Sequence, residues 1–146
     1  MSFTELAKEI AVAAHSGQFD KAGVPYIEHP KYVAEQMDSE DEKAVAFLHD
    51  VLEDTEVTAE DLLRLFPLHI VDAVIAITRQ GNESYDKFIE RVKQNPLACS
   101  VKLMDLRHNL EINRIPVPTE KDIARLEKYR RAYENLTFPT CDSAND

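Results

Sequence analysis

Glycine is scarce in this chain, with 3 residues in 146. No segment alternates apolar and polar residues for long, which is the pattern of a half-buried strand. These two shortages leave a chain that reads as nearly all helix. Long apolar runs are missing as well: none approaches the roughly 18 residues that suggest a membrane span. Met1-Ser2-Phe3-Thr4-Glu5 lacks the basic region and apolar stretch of a secretory signal. Cysteine is limited to Cys99 and Cys141, far apart and in no metal spacing, which fits a reduced, cytoplasmic setting. Positive charge is short, 17 Lys and Arg against 27 Asp and Glu, for a net charge of -10. That balance argues against general nucleic-acid binding, which needs a basic face. It leaves a phosphorylated small molecule open, because a metal can sit between carboxylates and phosphates. Most of the acid excess reads as solvated surface. The length suits one domain with a single core.

The helices can be placed from capping and apolar spacing. Phe3 to His15 is a first helix, with Leu6, Ile10 and Ala13 or Ala14 inward. Ser16 to Tyr26 holds Gly17, Gly23 and Pro25 and is a loop. Pro30 starts a second helix with Val33 and Met37 on its apolar side. Ser39 with Glu42 forms a capping box for a third helix, from Glu40 to about Glu53. Thr58 with Asp61 starts a helix over Ala59 to Phe66. The run from Ile70 to Ile77 reads as a buried helix, and Ser84 to Gln94 as one carrying Phe88, Ile89 and Val92 inward. Pro96 opens a helix to about Asn113, which Pro116-Val117-Pro118 ends. Thr119 to Asp122 caps a last helix through Asn135, with Ile123, Leu126, Tyr129 and Tyr133. The expected fold is all-α, a single compact bundle of about seven to nine helices. Residues 1–136 form the domain and 137–146 a polar, flexible tail.

Chemistry concentrates in Phe47-Leu48-His49-Asp50-Val51-Leu52-Glu53-Asp54. On a helix, His49 and Glu53 share one side, and so do Asp50 and Asp54. One imidazole and three carboxylates among apolar neighbours are costly to bury without a compensating charge. A divalent cation that takes N and O ligands is the simplest compensation. His29 stands at a loop-to-helix junction. Asp105 and Asn109 are one helical turn apart and can point into the same space.

The order His, His-Asp, Asp resembles the HD superfamily of metal-dependent phosphohydrolases. Four blocks make the likeness closer. They are Ala14-His15-Ser16-Gly17-Gln18, Gly23-Val24-Pro25-Tyr26-Ile27-Glu28-His29-Pro30, His49-Asp50-Val51-Leu52-Glu53-Asp54, and Val101-Lys102-Leu103-Met104-Asp105 with His108-Asn109. In that order they are similar to the hydrolase domain of RelA/SpoT proteins and to the small stand-alone alarmone hydrolases. The likeness covers the chain apart from its tail.

The resemblance implies His29, His49, Asp50 and Asp105 as ligands of a divalent metal, most often manganese. It implies that Glu53 and Asp54 orient and deprotonate the attacking water, and that Lys21 and Asn109 hold the nucleotide. The implied reaction takes pyrophosphate from the ribose 3′ oxygen of guanosine tetra- or pentaphosphate, leaving GDP or GTP. The implied partner is thus a phosphorylated nucleotide, not nucleic acid or membrane, with oligomerisation left open. The chain has Asp20 where the family usually carries a basic residue that packs on the guanine base. Two alternatives follow: another nucleotide or phosphorylated metabolite as substrate, or a nucleotide sensor without catalysis.

Outside these positions, His15 bonds a loop carbonyl or packs between helices, and His69 faces water. His108 is either a support to the site or a substrate contact. Tyr26 lines the pocket or is buried with its hydroxyl bonded. Lys102 and Arg107 attract phosphate or are ordinary exposed cations.

Overall fold

The computed structural model describes residues 1–112 and 117–137. Within them the chain forms nine helices: α1 (Phe3–Ala14), α2 (Glu28–Glu35), α3 (Glu40–Leu48), α4 (Val51–Asp54), α5 (Ala59–Leu63), α6 (Leu68–Ala76), α7 (Tyr85–Lys93), α8 (Pro96–Ile112) and α9 (Glu120–Thr137). Pairing of the β type among the described residues is one isolated bridge, Phe19 to Pro25. The chain is a single all-α bundle. The expected tail from Thr137 on, apart from that residue, lies outside the described residues, as do Asn113, Pro116 and Cys141.

α3 is the axis of the bundle and packs on α1, α2, α6 and α8. Ala44, Val45, Ala46, Phe47 and Leu48 are all buried, so this helix is apolar on every side in its second half. Full burial of one side chain such as Leu48 contributes about 1.5–3 kcal/mol. Its start is set by the expected capping box: Ser39 Oγ accepts from Glu42 N, and the Glu42 side chain accepts from Ser39 N. Glu40 also receives Phe3 N at 2.9 Å, which ties α1 to the start of α3. The inner stripe of α1 centres on Ala7 and Ala11, and Leu6, Ile10 and Ala14 flank it half-buried. Small residues there let α1 lie close on α3.

The expected helix from Glu40 to Glu53 is interrupted. α3 ends at Leu48 and α4 resumes at Val51. His49 N reaches only Ala46 O, at 3.4 Å, and His49 Nδ1 lies 2.6 Å from that same carbonyl. Asp50 sits at φ -110°, ψ 1°, outside helical geometry. The imidazole thus takes a carbonyl at the helix end, and the chain turns there. The 49/53 and 50/54 pairing on one continuous helix does not apply.

At its far end α6 is closed by Arg91. The guanidinium donates to Ala76 O at 2.9 Å, Ile75 O at 3.2 Å and Thr78 O at 3.0 Å. Those helix-end carbonyls would otherwise lack partners. Arg91 is held in turn by Glu83, at 2.8 and 3.0 Å. On α9 the buried positions are Ala132 and Leu136, while Ile123 is 55% exposed, so the apolar face lies nearer the C-terminal end than the sequence suggests.

Candidate metal centre and substrate cavity

Three helices deliver the centre of the site. α2 carries His29, the turn after α3 carries His49 and Asp50, and α8 carries Asp105. His29, His49 and Asp105 are all buried, and one ligand atom from each falls within 4.8 Å of the others. Asp105 Oδ1 lies 2.7 Å from His29 Nε2 and 3.2 Å from His49 Nε2. Asp50 Oδ2 is 3.1 Å from His49 Nε2 and accepts a hydrogen bond from the Tyr26 hydroxyl. Asn109 Nδ2 donates to Asp105 Oδ1 at 3.1 Å, and Lys102 Nζ to Oδ2 at 2.9 Å.

The donor set fits a divalent cation. His49 donates Nδ1–H to a carbonyl, which leaves Nε2 to face the carboxylates. Two imidazole nitrogens and carboxylate oxygens suit a borderline or hard metal. Without one, protons fill the role. Burial works against a charged His49, but the carboxylates of Asp50 and Asp105 outweigh it and hold its pKa well above the ordinary value. Burial likewise pushes Asp105 up, while Lys102 and His49 pull harder and hold it well below the usual range. Asp50 is held at about 2: burial opposes its ionisation and the His49 charge overcomes that. The same anionic centre, after burial itself, raises the Tyr26 hydroxyl pKa.

A cavity of about 280 Å³ opens on this centre. Glu53 is on its wall beside Asp50. Partial desolvation, then the charges of Asp54 and Asp50, raises the Glu53 pKa. Asp54 lies in a separate cleft with Ala14, Gln18 and Thr55, yet near enough that Asp50, after desolvation, raises its pKa too. Three cations line the same cavity: Lys102, which is paired with Asp105, and Arg79 and Lys128. Lys128 Nζ is 4.6 Å from the Tyr85 ring centre and Arg79 Cζ is 5.6 Å from it. Burial first, then repulsion from Arg79, Lys102 and Arg125, lowers the Lys128 pKa.

Lys21 and Asn109 meet in an adjoining cleft of about 340 Å³, which shares Tyr26, Asn109 and Tyr129 with the metal cavity. Phe19 and Arg125 also line it. Lys21 rides the tip of the loop before α2. Asp20 organises that tip: its Oδ1 accepts Ala22 N at 2.8 Å and Val24 N at 2.9 Å. Gly23, at φ 85°, supplies the left-handed step the turn requires. The carboxylate of Asp20 is therefore turned onto its own backbone.

The other sequence candidates divide. His15 is buried, bonded to Gln18 Oε1 at 2.9 Å and packed 5.0 Å from the Tyr26 ring. Tyr26 does both things expected of it, lining the cavity and bonding through its hydroxyl. His69 is exposed and meets Asp41 at 2.7 Å. Arg107 is exposed beside Glu111, away from the cavity. Sequence reasoning missed Arg79, Lys128, Arg125, Tyr85 and Tyr129. Each reads locally as an ordinary surface cation or packing aromatic, so no local signal separates them.

A helical bundle that brings two buried histidines and a buried aspartate within 4.8 Å of one another fits an HD-type domain. No family model matches the chain. A curated Haemophilus influenzae protein, guanosine-3′,5′-bis(diphosphate) 3′-pyrophosphohydrolase, is 35% identical over 116 residues, which is 69% of this chain and 17% of that protein. The bifunctional (p)ppGpp synthase/hydrolase SpoT of Escherichia coli is 32% identical over 117 residues, 69% of this chain and 16% of that one. A probable GTP pyrophosphokinase of Mycobacterium leprae is 32% identical over 149 aligned positions, covering 93% of this chain and 18% of that protein. The chain spans less than a fifth of the length of these relatives. A solved structure, described as a metazoan ortholog of SpoT that hydrolyzes ppGpp, superposes with a TM-score of 0.81 over 94% of this chain and 86% of that one, at 22% identity. At that identity the likeness is one of fold. The chain belongs to the HD superfamily, in the family of RelA/SpoT-type hydrolase domains.

Proposed function

We propose that the protein is a manganese-dependent pyrophosphohydrolase of guanosine tetra- and pentaphosphate. One observation carries this reading: a single cavity is lined both by His49, Asp50 and Asp105 of the metal-fitting centre and by the cations Arg79, Lys102 and Lys128. Arg79 and Lys128 share one aromatic ring and repel each other and Lys102, an arrangement that an entering polyphosphate relieves. The names of the curated relatives support the choice of nucleotide.

In this reading His29, His49, Asp50 and Asp105 hold the metal. When bound, it would polarise a phosphoryl oxygen and lower the pKa of a water from about 15.7. Glu53 and Asp54 orient that water and accept its proton, with Glu53 the one of the pair on the cavity wall. Water adds to the phosphorus joined to the ribose 3′ oxygen. That P–O bond breaks, the 3′ oxygen leaves and takes up a proton, and pyrophosphate departs toward Arg79 and Lys128. Lys21 and Asn109 hold the nucleotide in the adjoining cleft. Residues 1–136 act as the catalytic domain, in the cytoplasm.

Incubation of the protein with manganese and guanosine tetraphosphate is expected to release pyrophosphate and GDP in equal amounts. Release no greater than that of Asp50→Ala would overturn the proposal. A second reading, another phosphorylated nucleotide or metabolite, is favoured by Asp20, whose carboxylate serves the loop and cannot stack on a base. A substrate panel separates the two: faster turnover of a non-guanine compound selects the second.

A further inference from the structure

His29 Nδ1 lies 2.7 Å from His108 Nδ1. Two ring nitrogens that close share one proton, so one donates N–H and the other offers its lone pair. The rings are within 4° of parallel, with centres 4.9 Å apart. That separation is the 2.7 Å contact plus one ring radius at each end, so the rings meet edge to edge in a common plane. The result is a straight N–H···N bond. Tyr32 lies flat on His108, centres 4.1 Å apart and 16° between planes, and holds that plane from the side.

At its other nitrogen His29 faces Asp105 Oδ1. A metal at that position needs the Nε2 lone pair, which requires His29 to carry its proton on Nδ1. We propose that His108 is a positioning residue of the metal centre: its Nδ1 accepts the His29 Nδ1–H and so turns the His29 Nε2 lone pair toward the metal. The inference rests on His29 being a ligand. It gives the two histidines parallel supports, since Ala46 O receives the Nδ1–H of His49. A neutral imidazole suits the task, because Asp50, Asp105 and Glu53 already crowd the centre with negative charge. His108 itself borders a different cleft, of about 540 Å³, with Tyr32 and Glu35.

Two variants separate the hydrogen bond from the stacking. His108→Phe keeps a flat ring for Tyr32 and removes the acceptor. His108→Asn places a carbonyl oxygen close to the lost Nδ1. Manganese affinity, titrated on metal-free protein by calorimetry, is expected to fall about 10- to 100-fold in His108→Phe. His108→Asn is expected to restore most of it. Nitrogen-15 spectra of the unmutated protein loaded with zinc are expected to show His29 protonated at Nδ1, a readout independent of any variant's folding. Unchanged affinity in His108→Phe, no recovery in His108→Asn, or a His29 proton on Nε2 would each overturn the inference. His29→Ala is the control for the underlying reading: undiminished manganese binding there means that His29 is no ligand, whatever His108 does.

Discussion

At the scale of single residues, the proposed mechanism separates groups that bind from groups that move a proton. Glu53 stands on the cavity wall and is not among the residues proposed to hold the metal, His29, His49, Asp50 and Asp105. Glu53→Gln is therefore expected to lower turnover by about 10²–10⁴ while leaving manganese affinity unchanged, measured by rate and calorimetry on one sample. Tyr26 is different in kind. Its hydroxyl donates to Asp50, and its pKa is raised by burial and by that carboxylate, so it stays protonated and orients Asp50. Tyr26→Phe is expected to weaken manganese binding by roughly tenfold. An unchanged affinity would show that Asp50 needs no such support. His29, His49, Asp50 and Asp105 stand out in the sequence because their residue types and order match a known pattern. Arg79 and Lys128 do not, since a cation after one helix and a cation inside another face the same space only once α6 and α9 are placed.

At the scale of elements, caps and clasps decide where the site residues stand. Ser39 starts the helix that ends at His49, so Ser39→Ala is expected to cost about 1 kcal/mol, read from thermal melting. The clasp after α6 makes a pH prediction. Hydrogen bonds from Arg91, then from the Gln80 backbone, hold the Glu83 pKa at about 2 against an ordinary 4.5. A depressed folded-state pKa adds stability above the unfolded value and loses it as pH falls through the folded one. The parent should thus melt higher than Glu83→Gln at pH 7, and the gap should close between about pH 4.5 and 2. A gap that persists at the acid end would show that the carboxylate charge is not what holds Arg91. Capping boxes at Ser39 and Thr58 are legible in sequence because the signal spans only four residues. The turn at His49-Asp50 is not. It depends on a ring reaching back to Ala46 O and on Tyr26, 24 positions earlier, holding Asp50.

For the whole molecule, α2, α3 and α8 meet at the centre, so a metal that binds only the folded chain links all three. Manganese at a hundred times its dissociation constant is expected to stabilise the fold by about 2.7 kcal/mol. That corresponds to a rise of roughly 5–10 °C in melting temperature, reversed by a chelator and absent in His29→Ala. The sequence alone determined the helical class, most helix starts and three candidate metal ligands, His29, His49 and Asp105, that the fold brings together. Those rest on local facts: apolar period, capping pairs, proline position and the order of His and Asp. Tertiary structure decided the rest. It broke the helix at His49, folded Asp20 back onto its own loop, set Asp54 in a different cleft from Glu53, and gathered Arg79, Lys102 and Lys128 into one cavity with the carboxylates. The physical reason is that a cavity is a relation between elements far apart in sequence. Its charge balance exists only when the core has fixed their distances.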